Sequence, residues 1–242
     1  MSTPEEKGGC KISIVIPCYN EVENIPILLE RLDNTIKQLV TRDLDTIECI
    51  IVNDGSTDNT KETLEKLLPQ YSYLKPIHLE KNRGQSYALW RGLKSSKGEV
   101  IVILDGDLQN DPNDIPRILK ELELADFVQG YRENRQDTWL RSWVSKQANR
   151  ILRITLDMPV RDTGCALKAM KRDCLDFILP FNGSHRFYAF LVHTAGFIVK
   201  EIPVQHHSRT LGKSKYNIRN RLFRTLFDLL GLYWWKKRSL QR

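Results

Sequence analysis

The sequence predicts an α/β protein: a mostly parallel sheet flanked by helices, with a basic amphipathic helix at the C-terminal end. Three observations carry this reading. Short β-branched runs alternate with helical segments through residue 124. Each of those runs ends on a cluster of turn-forming polar residues. The positive charge lies behind them: residues 209–242 hold ten Lys or Arg against one acid, and residues 1–208 hold 27 against 29.

The elements follow in order. "ISIVI" at 12–16 is a buried strand ended by Pro17. "NIPILLERLDNTIKQLV" sets Ile25, Leu28, Leu29, Leu32, Ile36 and Leu39 at helical spacing, with Asn24 as cap and Pro26 in the first turn. "IECIIV" at 47–52 is a second strand, "NDGSTDNT" a capping turn, and 60–68 a helix stopped by Pro69. Residues 74–79 make a weaker strand, "GQSYALWRGLKSS" a helix, "EVIVIL" the strongest strand, and 112–124 a helix opened by Pro112. Beyond residue 125 the order is mixed: "DFVQG" a strand, 138–155 a long helix, "GCALKAM" a strand, 184–195 a helix and "GFIVKEIPV" a last strand. The expected organisation is one catalytic domain over 1–208, a nucleotide half at about 11–125 and an acceptor half at about 126–208, then a loop and amphipathic helix over 209–242.

Composition narrows the class. With 41% hydrophobic and 28% charged residues, the 242-residue chain reads as a soluble globular protein. No segment offers the roughly 20 apolar residues of a membrane span, and "MSTPEEKGGCK" lacks a signal-like apolar core, so the expected location is cytoplasmic. Cysteines 10, 18, 49, 165 and 174 form no C-x-x-C pair, which suits free thiols and, with scattered histidines, speaks against zinc. The tail sets Ile218, Leu222, Leu226, Leu229 and Tyr233 at helical spacing, with Trp234 and Trp235 before Lys-Lys-Arg. Periodicity alone suits a helix lying on a membrane surface and equally a C-terminal helix packed on the domain with a solvated basic face, but paired Trp beside a basic cluster favours the membrane surface. Because the basic charge sits in one tail and no nucleic-acid module is visible, nucleic acid is not an expected partner.

Open α/β sheets bind ligands beyond the carboxyl ends of their strands, and here those ends carry "PCYNE", "NDGSTD", "KNRG" and "DGDLQ". Neither G-x-G-x-x-G nor a P-loop is present. Asp105, Asp107 and Gln109 follow the strongest strand at i, i+2 and i+4, a spacing that an extended chain sends to one side. Three oxygen donors there suit Mg²⁺ or Mn²⁺.

Taken together, "IVIPCYNE", "IIVNDGSTDNT", "NRGQSYALWRG" and "VIVILDGDLQNDP" resemble the family 2 glycosyltransferases, inverting enzymes with the Rossmann-like nucleotide-sugar fold called GT-A. "QGYRENR", "WLRSWVSKQANRIL", "VRDTGCALKAMKR" and "HHSRTLGKSKYNIRNR" narrow the likeness to the dolichol-phosphate mannose synthase branch and its bacterial polyprenyl-phosphate relatives. The resemblance implies that Pro17, Tyr19, Asn20 and Glu21 line the nucleotide's base and ribose, with Asp54 near the base; Asn53 stands where the family often has an Asp. It implies that Asp105, Asp107 and Gln109 bind the cation across the diphosphate. Arg132, Arg141 and Ser145 match positions that hold the lipid phosphate. Arg209, Ser214 and Lys215 match a loop that closes over the donor diphosphate, Gly212 allowing its turn. Asp107 and Arg209 would stabilise the departing charge, and Asp162 would act as a base or orient an acceptor-site arginine.

The implied reaction moves a sugar from a GDP- or UDP-linked donor to a polyprenyl (dolichyl or undecaprenyl) phosphate. Transfer to a hydroxyl of a polysaccharide or glycolipid is the alternative. Lacking an expected span, the chain would meet its acceptor on the cytosolic face as a peripheral protein or through a membrane-protein partner.

Overall fold

The first strand shows how local chemistry sets the sheet. In this computed structural model, which describes residues 11–39, 46–133, 150, 153–207 and 218–239, β1 runs Ile12–Cys18 and pairs with β2 (Ile47–Asn53) along its whole length. On its other side β4 (Val100–Ile103) pairs only as far as Val15. Val15 C=O accepts from Leu104 N–H, so by alternation Pro17 faces the same side, just past the end of that ladder. The strand therefore tolerates a residue with no N–H to give.

The remaining strands are β3 (Leu74–His78), β5 (Phe127–Arg132), β6 (Lys168–Lys171) and β7 (Val199–Val204), in the order β3-β2-β1-β4-β6-β5-β7. All run parallel except β6, which is antiparallel to both β4 and β5. One continuous sheet thus spans both expected halves. Helices α1 (Asn24–Leu39), α2 (Thr60–Leu67) and α4 (Ile115–Glu121) cover one face, where Ile14, Ile16, Ile25, Leu64, Val102 and Ile118 share a core. Helix α3 (Gln85–Ser95), α5 (Tyr188–Thr194) and α6 (Ile218–Arg238) belong to the other, with Val15, Leu89, Ile101, Phe127, Phe190 and Leu232. Both faces of the sheet are covered, which is why its strands read as continuous apolar runs.

Several expected elements are shorter than the periodicity suggests. Asp111 accepts Asn113 N–H, and the segment from Pro112 opens as a single 3-10 turn before α4, which stops at Glu121 instead of 124. The expected helix 184–195 divides into a 3-10 turn at Ser184–Arg186 and α5. "GCALKAM" pairs only from Lys168, because residues 162–165 are held in a turn at the sheet rim. Of the expected helix 138–155, residues 138–149 lie outside the described residues, as do 151 and 152.

The amino ends of the strands carry a buried polar network. Glu48 in β2 accepts from Ser13 Oγ at 2.6 Å, Lys97 N–H at 2.6 Å and Lys75 Nζ at 2.7 Å, and Ser13 in turn accepts Gly98 N–H at 2.7 Å. Burial alone would raise the Glu48 carboxyl, but these hydrogen bonds bring it below its ordinary range. Cys18, Cys49, Cys165 and Cys174 are buried free thiols.

Helix α6 packs one side on the domain and leaves apolar side chains on the other. Leu229 and Leu232 are buried in the core and Trp235 meets Phe190 edge to face. Asp228 pairs with Arg186 at 2.8 Å, and Lys236 reaches Leu156 C=O and Asp157. The opposite side exposes Phe227, Leu230, Tyr233 and Trp234. Leu229 therefore belongs to the packed face, a correction to the predicted apolar stripe; the side chains of Ile218, Leu222 and Leu226 lie outside the described residues. Among the described residues no helix is long and apolar enough to cross a membrane.

Candidate active site

The carboxyl ends of β1 to β4 form the rim that the polar clusters anticipated. After β1 the chain turns at Asn20, whose φ of 55° is left-handed, and Asn20 Oδ1 accepts Thr57 N–H at 2.8 Å. Asn20 N–H donates to Ser56 Oγ, and Glu21 N–H to Thr60 Oγ. "PCYNE" and "NDGSTD" are thereby one hydrogen-bonded unit, with Tyr19 half-buried beside it. Asn53, the departure from the family pattern, accepts Ser56 N–H through its side chain and meets the His78 ring at 3.3 Å.

Asp54 is buried and binds the loop before α3: its two oxygens accept Arg83 N–H and Gly84 N–H, each at 2.8 Å. Whatever it contributes to a nucleotide, it does with both oxygens already engaged. Gly55 makes the approach possible, since at φ 64° a Cβ would fall 2.3 Å from the Lys81 carbonyl carbon.

The acidic turn follows β4. The strand ends at Ile103, so the extended-chain argument does not carry the three donors; a tight turn does, with Leu108 at φ 62°. A non-glycine residue in that region costs roughly 1–2 kcal/mol, strain of the kind that collects at functional sites. Exposure still alternates, with Asp105, Asp107 and Gln109 half-buried between buried Leu104, Gly106, Leu108 and Asn110. Gln109 N–H donates to Asp107 Oδ1, closing the turn.

Two neighbours that the sequence reading passed over complete this corner. Gln85, the first residue of α3, donates its amide to Asp105 Oδ1 at 2.8 Å. Lys168, 3% exposed at the start of β6, bonds the Cys165 carbonyl and lines one small cavity with Asp105, Gln85, His185 and Tyr188. Burial and then the charge of Asp107 push the Asp105 carboxyl up to about 7, against the pull of Lys168, the Gln85 amide and Arg132. The only sequence signals were a lysine inside an apolar strand and a polar side chain at a helix start.

Asp105, Asp107 and Gln109 are hard oxygen donors, and the charge of Asp107 makes Asp105 costlier to ionise, a repulsion that a divalent cation relieves. They fit such an ion. Among the described residues no group of three or more His, Cys, Asp or Glu stands in metal-holding geometry, so Gln109 would have to serve as the third donor.

Across the rim, Arg132 at the end of β5 is clamped by Asp162. Its Nε reaches Oδ2 at 2.7 Å, its Nη2 reaches Oδ1 at 2.8 Å and its own N–H also meets Oδ2. Gly164 N–H takes a fourth bond on Oδ1, and a Cβ at Gly164 would sit 2.8 Å from the guanidinium. The turn is anchored by Gln129, which bonds the Asp162 carbonyl, and by Glu201, which accepts Arg161 N–H at 2.6 Å. Four hydrogen bonds fill a carboxylate's acceptor capacity, so Asp162 is built to hold an arginine. Arg141, Ser145, Arg209, Gly212, Ser214 and Lys215 lie outside the described residues. His207, two positions before Arg209, donates its N–H to Gln109 C=O at 2.9 Å, and Gln205 N–H binds Asp114.

A mostly parallel sheet with a polar rim, an acidic turn for a cation and an anchored arginine defines an α/β protein suited to a phosphorylated ligand. The chain belongs to glycosyl transferase family 2, whose model matches residues 13–179, and it is a glycosyltransferase with the Rossmann-like GT-A fold. It is similar to glucosyl-3-phosphoglycerate synthase from Mycobacterium tuberculosis in complex with Mn²⁺, UDP and phosphoglyceric acid. That likeness has a TM-score of 0.66 at 20% identity, over 96% of this chain and 80% of that one. It is also similar to a mannosyltransferase from Pyrobaculum calidifontis in complex with GDP-mannose and Mn²⁺, with a TM-score of 0.67 at 19% identity, over 99% of this chain and 68% of that one.

Proposed function

We propose that this glycosyltransferase moves a hexose from GDP-mannose or a UDP-sugar to a polyprenyl phosphate, with inversion, at the cytosolic face of a membrane. The observation that carries the reading is the Arg132–Asp162 clamp. A guanidinium fixed in direction, with its charge felt at Asp105, suits an anionic acceptor brought up to the donor site.

The rim of Pro17, Tyr19, Asn20, Glu21 and Asp54 takes the nucleoside, and Asp105, Asp107 and Gln109 would hold Mg²⁺ or Mn²⁺. The bound cation would offset negative charge on the donor diphosphate. Both structural neighbours were crystallised with Mn²⁺ and a nucleotide, which supports this assignment. Arg132, with Arg141 and Ser145, receives the acceptor phosphate. A phosphate oxygen bonds to the anomeric carbon, and the bond from that carbon to the diphosphate breaks with its electron pair going to the nucleoside diphosphate. Arg209, Ser214 and Lys215, which the family resemblance assigns to the donor diphosphate, would stabilise that leaving group. A phosphate monoester has a second pKa of about 6 and is mostly ionised at neutral pH, so a strong base is optional. That agrees with an Asp162 already occupied. Outward Phe227, Leu230, Tyr233 and Trp234, beside exposed Lys237 and Arg238, meet the bilayer or a membrane-protein partner.

The test is a donor screen with Mn²⁺ or Mg²⁺, a short-chain polyprenyl phosphate, and labelled GDP-mannose, UDP-glucose or UDP-N-acetylglucosamine. Organic-phase label from one donor, abolished by Asp107→Asn, is the expected outcome. Label that moves only to a sugar hydroxyl would replace the acceptor assignment.

A further inference from the structure

The acidic turn is not anchored by its own strand. β4 stops at Ile103, and Leu108 holds a left-handed conformation, so Asp105 needs outside support to keep one orientation. That support comes from α3. Asp54 fixes the loop through Arg83 and Gly84 N–H; Gly84, at φ 89°, turns the chain; and Gln85 then opens the helix with its amide 2.8 Å from Asp105 Oδ1. A carboxylate only accepts, so the amide must present N–H to it. Lys168, opposite Ile103 in the β4–β6 register, closes the cavity behind the same side chain.

We propose that Gln85 is the positioning residue of the cation site: its amide commits one oxygen of Asp105 to the helix and leaves the other for the divalent ion. The proposal rests on the reading of Asp105, Asp107 and Gln109 as cation ligands. Hydrogen bonds to a ligand's second oxygen set its direction, and their loss costs about 10–100-fold in metal affinity. It also joins the nucleoside end of the rim to the cation end, because the loop that Asp54 holds delivers Gln85.

The experiment titrates Mn²⁺ by electron paramagnetic resonance into the full chain with GDP or UDP present. Gln85→Met keeps the volume and removes the donor. Gln85→Ala, at the tolerant first position of a helix, serves if Met disturbs folding. The expected result is Mn²⁺ affinity lowered about tenfold with GDP or UDP binding in EDTA unchanged. Mn²⁺ affinity within twofold of wild type in a folded variant overturns the proposal, as does an equal loss of metal-free nucleotide binding, which marks a general structural role. If wild type itself binds no Mn²⁺ with either diphosphate, the cation site and this inference fall together; loss confined to the variants upholds both.

Discussion

Asp162 shows how much a single residue's surroundings decide. Its carboxylate faces the guanidinium edge-on and also takes two backbone N–H groups. Asp162→Asn replaces one acceptor by a donor aimed at Arg132 and should raise the acceptor KM at least tenfold, while kcat at saturating acceptor falls less than about threefold. A base would behave oppositely, with kcat collapsing, an acidic limb lost from its pH profile and the acceptor KM little changed. Steady-state kinetics over a pH series with the acceptor varied distinguishes the two. The pairing was half legible in the sequence: "RDTGC" offered an acid near an acceptor arginine, but which arginine depended on β5 and the 162–165 turn meeting at one rim.

At the scale of elements, α6 serves two surfaces. Leu232→Ala should cost about 2–4 kcal/mol, read as a lower denaturant midpoint with the slope unchanged, because it opens a cavity against the buried face of α5. Replacing Phe227, Leu230 and Trp234 together by Ser should leave that midpoint within about 1 kcal/mol, as exposed positions do. The same variant should lose sedimentation with vesicles of anionic lipid. Full sedimentation would refute membrane contact through this face. Removing the tail outright would be a poorer test, since it strips Leu229, Leu232 and Trp235 from the core. Periodicity marked a helix here, but a chain with apolar residues on two sides does not announce which side a neighbour will cover.

For the whole molecule, stability should follow the carboxylates bound at the end of the sheet away from the site. Glu48 is held below its ordinary pKa by its hydrogen bonds despite burial, and Asp126 is lowered by Lys171 and by Ile198 N–H. A group depressed in the folded state contributes stability above its unfolded pKa, about 4, and loses it as pH falls through the lower folded value. These two groups should therefore give a steep drop in melting temperature below about pH 4, while Asp105, pushed up to about 7, works the other way and costs stability as pH rises from about 4 towards 7. Glu48→Gln should cost about 1–3 kcal/mol at pH 7 and flatten that acid limb. An unchanged limb would show that Glu48 is not among the groups responsible.

The sequence by itself determined the alternation of strands and helices, the rim on which polar clusters meet, and the family, because apolar periodicity and short motifs are local properties. Only the tertiary structure decided that β6 runs against its neighbours, that Asp162 grips Arg132, and that Gln85 and Lys168 stand around Asp105. Those partners lie 20 to 63 positions apart in the chain, and no local pattern encodes them. They meet because a buried carboxylate must find donors, and folding supplies whichever donors the packed helices and strands bring within reach.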